Sequence, residues 1–493
     1  METPSESPRT KLVKGTAYSL IATVLVKLAY IINSIVVARL LGATQLGILA
    51  LLGGVISVMS LFAACGIGGA AVKYIAEYEA KDRSKLAPLI STVMSLICVT
   101  AGISALILTF IASPVGNALY NEPQMVGMLI IASIPLFLNA FAQPFSAILT
   151  GFQKIRELSV RNIVATFLTV PAALALIFIW GLWGAVIAMV VSAFISLGVY
   201  IRIVGRILKE RSIRMHFKID RGEAKRLFHY ALPLTLTGLV VSPISWLVLT
   251  ILQQYSGFTA VGIYSVASGL SASLLLIPTA ISTPMIPLIS ELETVDKERM
   301  QALSSKVLHM TFVFFLPVTM LLALFSPIAI SILYGDAYLS ASRVLYFLCI
   351  GTFLVAFDNV IVCVLMGTGR IWVGFMLNVT AMFTIVACTL ILVPSMSEVG
   401  LGIASLISYV VYTIGVLTYA RVKFGIKLHD IEIIMPIAAF GFVLGALPSF
   451  FIDSLPFYLA ATFVLIIVVV ATVVMLREYE WDFVRSILRK VAR

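Results

Sequence analysis

Thr16, Ser19, Thr23, Lys27, Tyr30 and Ser34 follow one another at spacings of three or four, so they share one face of any helix they form. Their chemistry is recognition rather than bond-breaking. Hydroxyls and a phenol can solvate sugar or water, and a lysine ammonium attracts an anion. They lie in an apolar segment, about 15–38, long enough to cross a bilayer. A charge near the bilayer centre costs several kcal/mol unless it meets water or a counter-charge. Lys27 therefore reads as a cavity residue. Arg39, just past this segment, suits either an anionic group or the anchoring of a loop. Two later segments carry similar faces. One, about 259–288, has Tyr264, Ser268, Ser271, Thr279 and Ser282; the other, about 230–252, has Thr235, Ser242, Ser245 and Trp246. A single such hydroxyl commonly bonds its own helix backbone or glues two helices. Three polar faces on corresponding spans of a repeat point instead to a shared cavity. One carboxylate, Asp358, lies deep in an apolar segment beside Asn359. Three roles stay open for it: a proton or cation site, a partner for Lys27, or a protonated structural acid.

Catalysis finds no support. There is no G-x-x-x-x-G-K-[ST] run, hence no ATP-binding motif. The histidines, His216, His229, His309 and His429, are not paired at metal-ligand spacing, and no serine has a histidine in a recognisable pattern. Cys65, Cys98, Cys349, Cys363 and Cys388 all sit in apolar segments and read as packing residues. The expectation is a protein that is not an enzyme and needs neither metal nor cofactor.

The elements that position these residues are membrane helices. Of 493 residues, 61% are hydrophobic and 12% charged, and the mean hydropathy is +1.08. About fourteen segments are long and apolar enough to span. The chain also repeats: Gly42-Ala-Thr44-Gln-Leu-Gly47 returns as Gly257-Phe-Thr259-Ala-Val-Gly262, and Gly151, Lys154-Ile155 and Asn162 return as Gly367, Arg370-Ile371 and Asn378. The layout is two six-helix repeats, 1–205 and 230–425, joined by a basic cytoplasmic linker at 206–229. An additional helix pair follows at 426–476, then an amphipathic cytoplasmic tail at 477–493. Even-numbered repeats enter from the same side, so an axis along the membrane normal relates them. Placing the N-terminus inside puts nearly all of the 34 Lys and Arg in inner segments. Both termini are then cytoplasmic in a multi-pass protein of the cell (plasma) membrane. The net charge of +11 is topological and faces anionic lipid, not nucleic acid. The first ten residues lack a signal-peptide core, so the first span is expected to stay.

The run Ala38-Arg39-Leu-Leu-Gly42-Ala-Thr44-Gln-Leu-Gly47 resembles the "A-R-x-L-G-x-x-x-x-G" signature of prokaryotic polysaccharide and O-antigen repeat-unit flippases. These belong to the multidrug/oligosaccharidyl-lipid/polysaccharide (MOP, MATE-like) transporter superfamily. Leu149-Thr-Gly151-Phe-Gln-Lys154-Ile155 and Leu365-Met-Gly367-Thr-Gly369-Arg370-Ile371 are similar to its habits after spans four and ten. The resemblance implies V-shaped lobes around a central cavity. It also implies flipping of a polyprenyl-phosphate- or pyrophosphate-linked glycan from the cytoplasmic to the outer leaflet by alternating access. Polysaccharide assembly proteins are the partners that such a role brings with it. Three other readings share features with this one: a cation-coupled MATE-type drug exporter, a lipid II flippase, and a membrane glycosyltransferase or polymerase. The first lobe holds Lys27 and no deep acid, which favours an anionic substrate over a drug cation; short outer loops disfavour the transferase.

Overall fold

The structure, a computed structural model, describes residues 8–211, 219–276, 278–279 and 285–425, with the single positions 462 and 466. The expected helix pair at 426–476 and the tail at 477–493 lie outside these residues apart from those two positions. In chain order the longer helices are α1 (Pro8–Ala64), α2 (Ile67–Lys81), α3 (Leu86–Ser113), α4 (Pro123–Gly151), α5 (Ile155–Glu210) and α6 (Arg221–Leu274). After them come α7 (Met285–Val295), α8 (Lys297–Leu324), α9 (Ser326–Tyr334), α10 (Ala341–Gly367) and α11 (Ile371–Tyr419). All these elements are helical, as a chain must be when most of its backbone has no water to bond. Among the described residues, 8 helical segments are long and apolar enough to cross a membrane.

Four of the long helices are broken once by a residue with non-helical backbone: Gly42 in α1, Gly181 in α5, Gly257 in α6 and Ser397 in α11. Each break falls between apolar runs long enough to span. The breaks come in matched pairs about 215 residues apart. Gly42 (φ 73°, ψ 171°) corresponds to Gly257 (φ 79°, ψ 178°), and Gly181 (φ 55°, ψ −129°) to Ser397 (φ 53°, ψ −133°). The conformation at Gly42 and Gly257 is open only to glycine. Two further positive-φ pairs, Asn121 with Gly335 and Gln153 with Gly369, keep the same offset.

Contacts divide the chain into two compact units, Met1–Gly262 and Ile263–Arg493. In the first, α3 and α5 pack on α4, and α1 packs on α5. In the second, α10 is buried on nearly every face and packs against α7, α8 and α11. The division falls within α6. The span at 230–252 is thus grouped with the first unit, while the repeat register sets it at the head of the second half.

Within the first unit the two copies of the glycine motif meet each other. Thr44 and Thr259 share a hydrogen bond of 2.8 Å between their hydroxyls. A Cβ on Gly47 would lie 1.9 Å from the Phe258 carbonyl oxygen, and one on Gly262 would lie 1.9 Å from the Ala43 carbonyl oxygen. Ala43 and Phe258 occupy the same place in the two motifs, so the contact is self-matching, as across a two-fold axis. Glycine here lets the backbones touch, as small residues do where membrane helices cross closely. Gly47→Ala and Gly262→Ala should each destabilise by about 1–3 kcal/mol, because backbone rather than a flexible side chain must move. The check is thermal unfolding in detergent, with Gly53→Ala on the same helix as control. Gly53 has nothing within 4 Å of an added Cβ, so it should melt no lower than the parent.

Candidate functional site

The first half of α1 is exposed over one broad arc. Val24, Leu28 and Ile32 occupy one side of it, and Thr23, Lys27, Tyr30 and Ser34 the adjacent side. The apolar face suits lipid. The polar face does not, since a lipid-facing ammonium at that depth is costly. Tyr30 is 53% exposed, and Lys27 makes no ion pair among the described residues. Ser34 donates to the Ile31 carbonyl at 2.9 Å and still lies exposed. Arg39 is exposed as well.

Trp246, expected on a cavity-facing polar face, is half-buried and bonded within the first unit. Its Nε1 donates to the Tyr120 hydroxyl at 2.8 Å, and that hydroxyl also bonds Thr250 at 2.8 Å. Its ring packs so near Gly54 that a Cβ there would lie 2.9 Å from Cδ1. Gln254 donates to the Leu119 carbonyl beside it. Ser242, one turn before Trp246, is half-buried. Near the start of α6, Tyr78 donates to Glu223 at 3.0 Å and accepts from Arg226 at 2.8 Å. Lys73 lies 4.1 Å from the centre of the Tyr230 ring. The α6 portion of the first unit is therefore tied at both ends to α2 and to the segment between α3 and α4. Tyr120 was not legible as the key to one end, because a tyrosine after a span reads as an interfacial anchor.

In the second unit Tyr264 and Ser268 are half-buried, and the Tyr264 hydroxyl bonds Ser405 at 3.1 Å. Ser271 departs from the expected water-facing row. It is 5% exposed, and its hydroxyl donates to the Ser268 carbonyl one turn back. Asp358 is 2% exposed on α10. Thr413 donates to its Oδ2 at 2.8 Å, while Oδ1 is buried without a hydrogen-bond partner among the described residues. Beside it lies a cavity of about 250 Å³, lined by Asn359, Asn378, Ser408, Tyr409 and Tyr412 together with apolar Val355, Val362, Ala381 and Met382. A carboxyl with an unused oxygen beside such a cavity can hold a proton or a hard cation. Among the described residues Asp358 makes no ion pair, and no cluster of His, Cys, Asp or Glu has metal-binding geometry.

The polysaccharide biosynthesis protein family matches this chain over residues 12–293. The chain belongs to that family. A membrane protein of Methanocaldococcus jannaschii, itself uncharacterised, is 24% identical over 425 residues, 82% of each chain. A putative O-antigen transporter of Shigella flexneri is 22% identical over 354 residues, 69% of this chain and 81% of its own. Among solved structures, the lipid II flippase MurJ in an inward closed conformation superposes with a TM-score of 0.73 at 14% identity, covering 94% of this chain and 99% of that one. The fold is that of the MOP superfamily, which also includes MATE multidrug transporters. This family member is a multi-pass membrane protein whose fold is shared with those transporters.

The exposures separate two positions on one assay. In a background without native cysteines, Ser34→Cys should react with a water-soluble thiol reagent. Ser271→Cys should be protected, reacting at least about tenfold more slowly, as its burial on a well-packed helix face requires. Mass-shift labelling of purified protein reads both.

Proposed function

We propose that this family member is a flippase for lipid-linked glycans, carrying a polyprenyl-phosphate or -pyrophosphate oligosaccharide from the cytoplasmic to the outer leaflet for surface polysaccharide assembly. The observation that carries the reading is the α1 face with Lys27, Tyr30 and Ser34 exposed beside a lipid-type apolar strip. A phosphate bears the charge that Lys27 lacks, and a sugar offers hydroxyls to the phenol and serine beside it. Family membership supports the glycan, as does the name of the Shigella relative.

The finer architecture belongs to the same proposal. Twelve of the fourteen expected spans are arranged as two six-helix repeats, 1–205 and 230–425, with both termini on the cytoplasmic side of the plasma membrane. Matched backbone breaks about 215 residues apart support the repeats. Exposed Arg39 and half-buried Ser242 join the glycan-facing set of the first unit, half-buried Tyr264 and Ser268 offer hydroxyls to the glycan from the second, and Trp246 contributes by holding α6 to Tyr120. Asp358 with Asn359 is the coupling position, where a proton or cation entering the adjoining cavity biases the second unit between two states. The same feature supports the second reading, a cation-coupled exporter of the MATE type. A lipid II flippase differs from the first reading only in the glycan.

Reconstitution in liposomes with a fluorescent polyprenyl-pyrophosphate sugar tests the assignment, movement between leaflets being read by reagent protection. Transfer above that of empty liposomes is expected, with Lys27→Ala slower by roughly thirtyfold or more, the scale of removing one member of a desolvated charge pair. Asp358→Asn keeps an acceptor for Thr413 but cannot change charge. It should retain substrate binding and lose the dependence of transfer on an imposed ion or pH gradient. Absence of transfer, together with gradient-driven efflux of an organic cationic dye, would move the protein to the exporters.

A further inference from the structure

One cation of the first unit has no role in the reading above. Arg161 stands on α5 near its start, in the place where a basic residue ordinarily marks the inner edge of a span. Its side chain turns into the helices instead. Its Nη2 donates to the carbonyl and hydroxyl oxygens of Ser196, and Nη1 donates to Asn162 at 3.1 Å. The guanidinium lies 3.7 Å from the centre of the Tyr200 ring. Every one of these partners is neutral. Glu157 stands one turn earlier, in the position that pairs best with a basic residue on a helix. It is engaged by Lys154 at 3.5 Å, and Arg161 points away from it. The Nε–H is buried with no acceptor among the described residues. A guanidinium so placed is positioned, half-desolvated and short of negative charge, an arrangement that is costly until an anion completes it.

The same geometry brings this cation to the polar face of α1. The Tyr30 phenol lies within electrostatic reach of the guanidinium. The breaks in the two helices lie together, since an added Cβ on Gly181 would be 3.8 Å from Gln45 Oε1, close behind Gly42. Lys27 is about 22 Å along α1 from Gly42, and Ser196, which holds the guanidinium, is the same about 22 Å along α5 from Gly181, at 1.5 Å per residue. Lys27 and the Ser196 that holds the guanidinium thus lie about equally far from the neighbouring breaks, on helices that pack together.

We propose that Arg161, held by Ser196 and Tyr200, is a second anion-binding residue that acts with Lys27 on a phosphate or diphosphate group. Lysine supplies a mobile point charge. Arginine supplies a planar fork already fixed by Ser196 and Asn162, with one Nη1 hydrogen left for a phosphate oxygen, so Arg161 holds its charge in one place and orients the group. Ser196 and Tyr200 are positioning residues. The proposal rests on the flippase reading for the identity of the molecule that bears the phosphate, but the anion site itself stands on the geometry.

The test is binding by purified full-length protein in lipid nanodiscs. The probes are a short-chain polyprenyl diphosphate, the matching polyprenol and inorganic diphosphate. The parent should bind the polyprenyl diphosphate at least tenfold more tightly than the polyprenol. Arg161→Gln should lose that preference while its melting temperature and its affinity for the polyprenol stay at parental values. Arg161→Lys restores charge without the fork and should recover part of the preference, which a purely structural role would not produce. Competition by inorganic diphosphate would identify the free anion as sufficient; its failure to compete would assign the site to the lipid headgroup. Full preference in both Arg161 variants would overturn this proposal and leave the flippase reading standing. A parent that binds diphosphate and alcohol alike would overturn both.

Discussion

Helices can approach only as closely as their Cβ atoms allow, and at Gly47 and Gly262 there are none. That close approach governs the arrangement of the first unit. It puts Phe258 against Gly47 and Ala43 against Gly262, and lets Thr44 and Thr259 share a hydrogen bond. The breaks at Gly42 and Gly257 lie immediately before these contacts and turn the helices into them. From this crossing the α6 portion of the first unit runs back along a series of ties. Trp246 and Thr250 on Tyr120 come first, then Tyr230 under Lys73, then Glu223 and Arg226 on Tyr78. The polar side chains available for binding are those these ties leave unused.

Charge is distributed unequally between the two units. In the first, Lys27 and Arg161 carry positive charge into apolar helices, and neither pairs with an acid among the described residues. In the second, Asp358 places a carboxyl in α10 with Thr413 as its one donor among the described residues. Ionisable groups set among apolar helices rarely increase stability, and apolar residues in their place would be cheaper. In the proposed function, ligands of opposite sign account for them: a phosphate-bearing substrate at the first unit and a proton or cation at the second.

Much of this was legible in the sequence because the membrane simplifies its code. Apolar runs of span length can only be helices, and a lysine among them declares itself. The repeat was legible because glycines at Gly42, Gly47, Gly257 and Gly262 mark backbone geometry, and backbone geometry drifts slowly. What could not be read was direction within a helix face. Ser271 and Ser268 look equivalent on a helical wheel, yet packing buries the first. Arg161 was hidden by the rule that made the topology readable, since a basic residue near a span end reads as an inner-edge charge. Tyr120 needed a partner some 126 positions away, and no local pattern records that. The compact unit ends at Gly262, beyond the boundary at 205 that the motif spacing suggested, because compactness follows contacts between helices and not the spacing of motifs.

A contact that a motif makes with its own copy has the same weak point on both sides. The surface formed by Ala43, Thr44 and Gly47 meets its counterpart at Phe258, Thr259 and Gly262. Nothing larger than a hydrogen atom fits at either glycine, so each position constrains the other helix. A side chain gained at Gly47 or Gly262 would press on the facing backbone, and no side-chain change there could make room for it.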